Sequence, residues 1–308
     1  MALTGVLRPG YVQIRVMEME PALRHYRDLV GLNVVSTESD GRVYLKTFDE
    51  FDRHSIILRE ADEPGMDFMG FKVDSTETLH MFKQKIEDYG ISTETIAAGD
   101  QPGLGERVRF VAPTGHNFEL YADIEASDNG PMTENPDIWE KPPHGMSPVR
   151  FDHCLLYGGD IDGAEDLFTK VLGFRVTEVA KAEDGEMRIA IFLSCSTKAH
   201  DIALVRHDED NKFHHCSFML EDWNAIGHAA DIMSRYDISV DIGPTRHGIT
   251  RGQTIYFWDP SGNRNEVFAG GYDSYPDHPV RVWSADQTGK AIFYYEKAIN
   301  ETFLSVVT

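Results

Sequence analysis

Asp259-Pro-Ser-Gly-Asn-Arg-Asn-Glu-Val267 ends the segment that begins Thr245-Arg-His-Gly-Ile-Thr-Arg-Gly-Gln-Thr-Ile-Tyr-Phe-Trp, and it has an echo far upstream in Ala112-Pro-Thr-Gly-His-Asn-Phe-Glu-Leu120. A second pair of echoes is Asp28-Leu-Val-Gly-Leu-Asn-Val34 and Lys170-Val-Leu-Gly-Phe-Arg-Val176. The glycines are 147 residues apart in the first pair and 142 in the second, a drift that a few loop insertions explain. Such self-similarity divides the chain into two alike halves, residues 1–135 and 146–290. Between them Ser127–Asp137 and Lys141-Pro-Pro-His-Gly145 are rich in Pro, Gly and Asn and carry no hydrophobic period, which places a linker at 136–145.

Each half divides again. Val12–Val16 alternates with period two, and Leu23, Tyr26 and Val30 recur at helical spacing within Glu20–Val30. Strand-like Arg42–Lys46 and His54–Leu58 follow, and the order restarts at Asp67 with a helix over Thr76–Tyr89 and strands near Arg107–Phe110 and Phe118–Tyr121. The reading is an α+β fold of four strand–helix–strand–strand–strand (βαβββ) modules, paired into two similar domains. A helix-like stretch from Lys290 to Glu301 lies outside the repeats, and residues 291–308 form an appended helical tail that caps the domain or contacts another subunit.

The net charge of −22 argues against nucleic acid or an anionic membrane as partner, because phosphate binding requires a basic face. No run of about 18 apolar residues is present, so no membrane span is expected. Met1-Ala-Leu-Thr-Gly5 lacks the basic-then-apolar pattern of a secretory signal. Three cysteines, Cys154, Cys195 and Cys216, without C-x-x-C spacing, suit a reducing cytoplasm and not a disulfide framework.

The repeat supplies an internal control: a residue needed only for folding recurs in both halves. Glu266 corresponds to Glu119, His153 to Tyr11, His215 to Phe68 and Tyr256 to Arg109. The second half therefore sets His153, His215 and Glu266 on three strands where the first half has Tyr11, Phe68 and Glu119. Two imidazoles and one carboxylate are the facial donor set of non-haem Fe(II) oxygenases, which leaves further metal positions open. The first half lacks this set and is expected to hold no metal. Zinc also accepts two His and one Glu, so a glyoxalase-like isomerase remains an alternative. His214 adjoins His215 and, on an alternating strand, is expected to pack on the other side or behind the ligand. Cys154 and Cys216 are expected to face away as buried thiols.

Thr245-Arg-His247, Ile255-Tyr256, Asp259-Pro-Ser-Gly262 and Glu266, at their spacing, resemble the signature of type I extradiol ring-cleaving dioxygenases of the vicinal-oxygen-chelate superfamily. Leu7-Arg-Pro-Gly10, Glu60–Lys72 and Ser196–Asp201 extend the resemblance along the chain, towards the members that act on monocyclic catechols. The resemblance implies the vicinal-oxygen-chelate (glyoxalase-like) fold and Fe(II) held by His153, His215 and Glu266. It implies catechol and O2 as substrates, 2-hydroxymuconate semialdehyde as product, and a place in aromatic hydrocarbon catabolism. It assigns His200 as acid/base and His247 and Tyr256 as hydrogen-bonding partners of the catechol oxygens. It places Phe192, Ile249, Thr250, Ile292 and Phe303 around the substrate, and it implies a homotetramer. His54 occupies the position of His200 in the first half, so the role of His200 rests on the resemblance. A bulkier diol such as 2,3-dihydroxybiphenyl is the competing substrate, and a non-catalytic protein that sequesters aromatic compounds is the competing class.

Overall fold

A computed structural model describes residues 3–127, 130–139 and 141–308. Parts of the expected linker segments (Asp128, Asn129 and Glu140) and of the N-terminal pentapeptide (Met1 and Ala2) lie outside the described residues.

The first half runs β1 (Val6–Val16), α1 (Met19–Leu23, continued as a π-helical segment Arg24–Val30), β2 (Asn33–Thr37), β3 (Val43–Lys46) and β4 (Ile56–Glu60). It then repeats as β5 (Gly65–Val73), α2 (Thr76–Asp88), β6 (Thr93–Ile96), β7 (Arg107–Val111) and β8 (Asn117–Tyr121). The second half runs β9 (Arg150–Gly158), α3 (Ile161–Asp166, continued as π-helical Leu167–Val171), β10 (Arg175–Lys181), β11 (Arg188–Ser194) and β12 (Ile202–Arg206). Its second module is β13 (Lys212–Met219), α4 (Trp223–Arg235), β14 (Val240–Arg246), β15 (Gly252–Trp258) and β16 (Arg264–Gly270). These are four βαβββ modules.

Each pair of modules makes one sheet. The orders are β2-β3-β4-β1-β5-β8-β7-β6 and β14-β15-β16-β13-β9-β12-β11-β10, the second extended at its edge by β17 (Arg281–Trp283). Within a module the first and last strands are parallel, and the two first strands meet antiparallel at the centre of the sheet. Helix α4 shows the local logic. Asp222 caps it by accepting from the backbone N–H groups of Asn224 and Ala225, and Ile226, Ala229 and Met233 line its buried face. One continuous apolar cluster joins both sheets, including Phe71, Phe118, Phe168, Phe174 and Phe218. Polar ties also cross between the halves, such as His116 to the Lys212 carbonyl and the Tyr26 hydroxyl to Asp259. Cys154 and Cys216 lie in this cluster, and all three cysteines are free. No helix among the described residues is long and apolar enough to cross a membrane.

The structure adds strands that the sequence reading did not locate and corrects one helix. Strands β2, β6 and β17 have no clear alternation, because their burial patterns are half-exposed throughout. The helix expected over Lys290–Glu301 is instead two short ones, α5 (Thr288–Ile292) and α6 (Glu301–Ser305). Phe293 breaks the run by adopting an extended backbone with its ring fully buried, and Asn300 starts the next helix by accepting from the Phe303 N–H. The tail therefore folds back over the second sheet and ends paired to β13, where Phe213 and Thr308 exchange backbone hydrogen bonds.

Candidate active site

His153 on β9, His215 on β13 and Glu266 on β16 stand on three adjacent strands at the middle of the second sheet. All three are buried, and one donor atom from each lies within 4.8 Å of the other two. His153 Nε2 is 3.1 Å from Glu266 Oε2, His215 Nε2 is 3.5 Å from the same oxygen, and the two nitrogens are 3.4 Å apart. Metal–ligand bonds of about 2.1 Å place neighbouring ligand atoms roughly 3.0–3.4 Å apart, which two of the separations meet and the third, 3.5 Å, closely approaches. The donor set tests well for a metal on a second ground. Glu266 Oε1 accepts from the Thr254 hydroxyl at 2.6 Å, whereas the buried Oε2 has no hydrogen bond and points at the histidines. A divalent cation at this point would satisfy it.

Two β-bulges adjust the ligands. The register between β9 and β13 passes from Phe213–Leu156 to His215–Leu155 and from Ser217–His153 to Phe218–Phe151, so that His214 and Asp152 are the extra residues. A bulge re-aims the side chain that it inserts. Both extra residues thereby reach the histidine that follows them: Asp152 Oδ2 lies 2.8 Å from His153 Nδ1, and His214 Nδ1 lies 2.7 Å from His215 Nδ1. Strict alternation would have sent them to the other face. The first half has bulges at the matching residues, Gly10 and Asp67. At Gly10 a Cβ would meet the Tyr121 hydroxyl at 1.9 Å, so only glycine fits.

Electrostatics follow from burial and these contacts. Burial opposes protonation of His153, but the Asp152 hydrogen bond and then Glu266 outweigh it and push this histidine up to about 9. His215 goes the other way, lowered to about 4 chiefly by burial, with Glu266 opposing. Burial would raise Glu266, yet the close imidazoles of His153, His215 and His247 hold it well below the usual carboxylate range. His200 is lowered well below an ordinary histidine, first by burial and then by His153.

The turn at Asp259–Gly262 explains how the strands meet. Asp259 Oδ1 accepts from the backbone of Ser261 and Asn263, both at 2.8 Å, and Gly262 takes φ +94°, a backbone that favours glycine. The hairpin register then sets Tyr256 directly opposite Glu266. The Tyr256 hydroxyl is 3.0 Å from His247 Nε2, and His247 Nδ1 donates to the Ile292 carbonyl of the tail. His200, in the loop between β11 and β12, has its ring centroid 4.0 Å from that of His153. These six side chains form the polar end of a cavity of about 240 Å³. Its walls are apolar and include Leu155, Phe268 and Ile299, and all five residues expected around the substrate (Phe192, Ile249, Thr250, Ile292 and Phe303) line it.

Several contributors escaped the sequence reading. Asp152 and Thr254 orient His153 and Glu266, and Glu178, fully buried, accepts from the Thr250 N–H at 2.7 Å and from the Tyr272 and Trp283 side chains. That contact holds Thr250 and Arg251 in the left-handed region at φ +61° and +63°. The isolated carboxylate in Arg150-Phe-Asp-His153 was the one available signal for Asp152.

The first half closes the equivalent position differently. Arg109 stands opposite Glu119 as Tyr256 stands opposite Glu266. Both Arg109 and the buried Arg107 pair with Glu119, and the Tyr11 hydroxyl donates to it. His54 sits there among Tyr11 and Tyr44, 5.9 and 4.8 Å from their ring centroids.

The chain is similar to known proteins along its length. Residues 66–125 match the catechol 2,3-dioxygenase-like N-terminal domain, and residues 150–267 match the glyoxalase/bleomycin resistance protein/dioxygenase superfamily. A metapyrocatechase of Pseudomonas sp. (strain CF600) is 54% identical over 305 residues, covering 99% of both chains. A manganese-dependent 2,3-dihydroxybiphenyl 1,2-dioxygenase of Geobacillus genomosp. 3 is 26% identical over 93% of this chain and 92% of its own. The crystal structure of the 2,3-dioxygenase LapB from Pseudomonas sp. KL28 superposes with a TM-score of 0.90 at 49% identity, covering 92% of this chain and 99% of that one. The chain belongs to the type I extradiol ring-cleaving dioxygenases of the vicinal-oxygen-chelate superfamily.

Proposed function

We propose that this chain is an Fe(II)-dependent catechol 2,3-dioxygenase, with His153, His215 and Glu266 as iron ligands and the 240 Å³ cavity as the catechol site. The observation that carries the reading is the convergence of three facial donor atoms with His200, His247 and Tyr256 at one end of a largely apolar cavity. Iron, when bound, would bring the diol and O2 to neighbouring positions and pass electron density to oxygen.

The protein's own groups do the rest. Tyr256 and His247, 3.0 Å apart, hold the two diol oxygens at the polar end and stabilise the deprotonated one. His200, kept neutral by burial and packed against the rings of His153 and Phe192, would take a proton from the diol and return it later in the reaction. Such acid–base assistance is typically worth about 100- to 10,000-fold. Phe192, Ile249, Ile292 and Phe303 exclude water and present a flat apolar slot to the ring. The product is 2-hydroxymuconate semialdehyde. The negative charge and free cysteines suit a cytoplasmic enzyme, and we extend the proposal to a homotetramer.

The test is a metal panel. Metal-free protein is loaded anaerobically with Fe(II), Mn(II) or Zn(II) and given catechol in air. The expected outcome is a yellow ring-opened product with Fe(II) and none with Zn(II). Activity with Mn(II) alone would reassign the metal, and activity with none would remove the catechol reading.

A further inference from the structure

The hydrogen-bonded chain behind His215 has a fixed direction. The Phe303 carbonyl lies 2.7 Å from His214 Nε2, and a carbonyl only accepts, so His214 Nε2 carries a hydrogen. In the neutral imidazole that hydrogen leaves Nδ1 bare. His214 Nδ1 lies 2.7 Å from His215 Nδ1, which must then carry the hydrogen between them. His215 Nε2 is consequently the bare nitrogen, and it is the one that faces Glu266 and His153. One backbone carbonyl thus sets two tautomers in series and delivers a lone pair to the metal position.

The carbonyl belongs to the tail that walls the substrate cavity. Phe303, Ile299 and Leu304 line that cavity, and the ring of Phe303 packs 4.6 Å from that of His214. Arg264, buried on β16, fastens the same stretch by donating to the carbonyls of Thr302 and Val306, both at 2.9 Å, and to His214 at 3.3 Å. His214 itself is held by stacking on Tyr157, 4.9 Å between centroids at 21°.

We propose that His214 is a positioning residue that couples the docked C-terminal tail to metal binding, by orienting His215 and fixing its tautomer. This rests on the assignment of His215 as a ligand. An undocked tail would release both tautomers and weaken the site, so a closed substrate cavity and a tightly held metal occur together.

The experiment is Mn(II) titration of the full chain, read as free Mn(II) by electron paramagnetic resonance, which requires neither O2 nor turnover. His214→Phe keeps the ring and removes both hydrogen bonds, and an affinity loss of about 10- to 100-fold is expected. His214→Gln can accept from His215 and donate to Phe303, and it is expected to bind within a few-fold of the native protein. Deletion of residues 302–308 removes the acceptor and is expected to cost as much as His214→Phe. The two changes combined should cost no more than one, because they interrupt the same chain. Native-like affinity in His214→Phe or in the deletion, equal weakness in His214→Gln and His214→Phe, or additive losses would each overturn the inference. Native protein that binds Mn(II) while the variants bind it equally well leaves the metal site standing and removes only His214. Native protein that binds no Mn(II) removes both.

Discussion

Asp152 Oδ2 lies 2.8 Å from Nδ1 of His153, the next residue in the chain, because a bulge turns Asp152 onto the face of its neighbour. A carboxylate behind a ligating imidazole fixes its orientation and raises its basicity, and the loss of such partners typically costs about 10- to 100-fold in metal affinity or activity. Asp152→Asn is therefore expected to lower metal affinity by that factor, while the protein stays folded. Equilibrium dialysis of the variant against Fe(II) under argon checks it.

His200 touches the ring of His153 but contributes no atom to the three-donor cluster. His200→Ala is expected to retain iron and to bind catechol anaerobically as tightly as the native protein. Turnover should drop by about 100- to 10,000-fold. Iron content and single-turnover rates measured on one preparation separate these effects, and a loss of iron would reassign His200 to the metal.

Glu119 shows how the same strand position serves structure in the other half. Its carboxylate neutralises Arg107, whose side chain is fully buried, and also meets Arg109. Its loss leaves Arg107 with Asp100 and Arg109 with Glu94, so the cost is at most the roughly 3–5 kcal/mol of a broken buried pair. Glu119→Gln should lower the free energy of unfolding by up to that amount in a urea titration, yet leave one metal per chain. A halved metal content would place a second site in the first half.

Much of this was legible because the chain contains its own control. Glu266 alone says little, since Glu119 shares its place, but His153 and His215 have no histidine counterparts and Tyr256 replaces Arg109. What stayed hidden depends on breaks in regularity. Period-two reasoning sends Asp152 away from the ligands and leaves His214 either on the other side or behind His215, and the two bulges put both residues behind the ligands. The tail departs from the single expected helix because Lys290–Glu301 has helical composition, while the fully buried ring of Phe293 wins over propensity and splits the helix. Strands with no buried stripe, such as β6, leave no period to find.

Acid should destabilise the protein through histidines outside the site. Burial lowers His25 to about 3 and His116 to about 4, against 6.5 for an exposed histidine. The folded state keeps both neutral while the unfolded chain protonates them below about 6.5, so the unfolded state binds more protons and stability falls as pH drops from about 6.5 towards 4. Together the two contribute up to about 2.7 kcal/mol per pH unit in that window. Urea midpoints at pH 7.5, 6 and 5 check the trend, and His116→Gln should show a shallower decline.

The most direct test of the central claim is oxygen uptake measured against catechol consumed, with anaerobically reconstituted Fe(II) protein and a limiting amount of catechol. The account expects one O2 per catechol, with the yellow ring-opened product formed in step and no uptake by metal-free protein. Conversion of catechol without O2 uptake, or O2 uptake that yields a quinone with the ring intact, would contradict it.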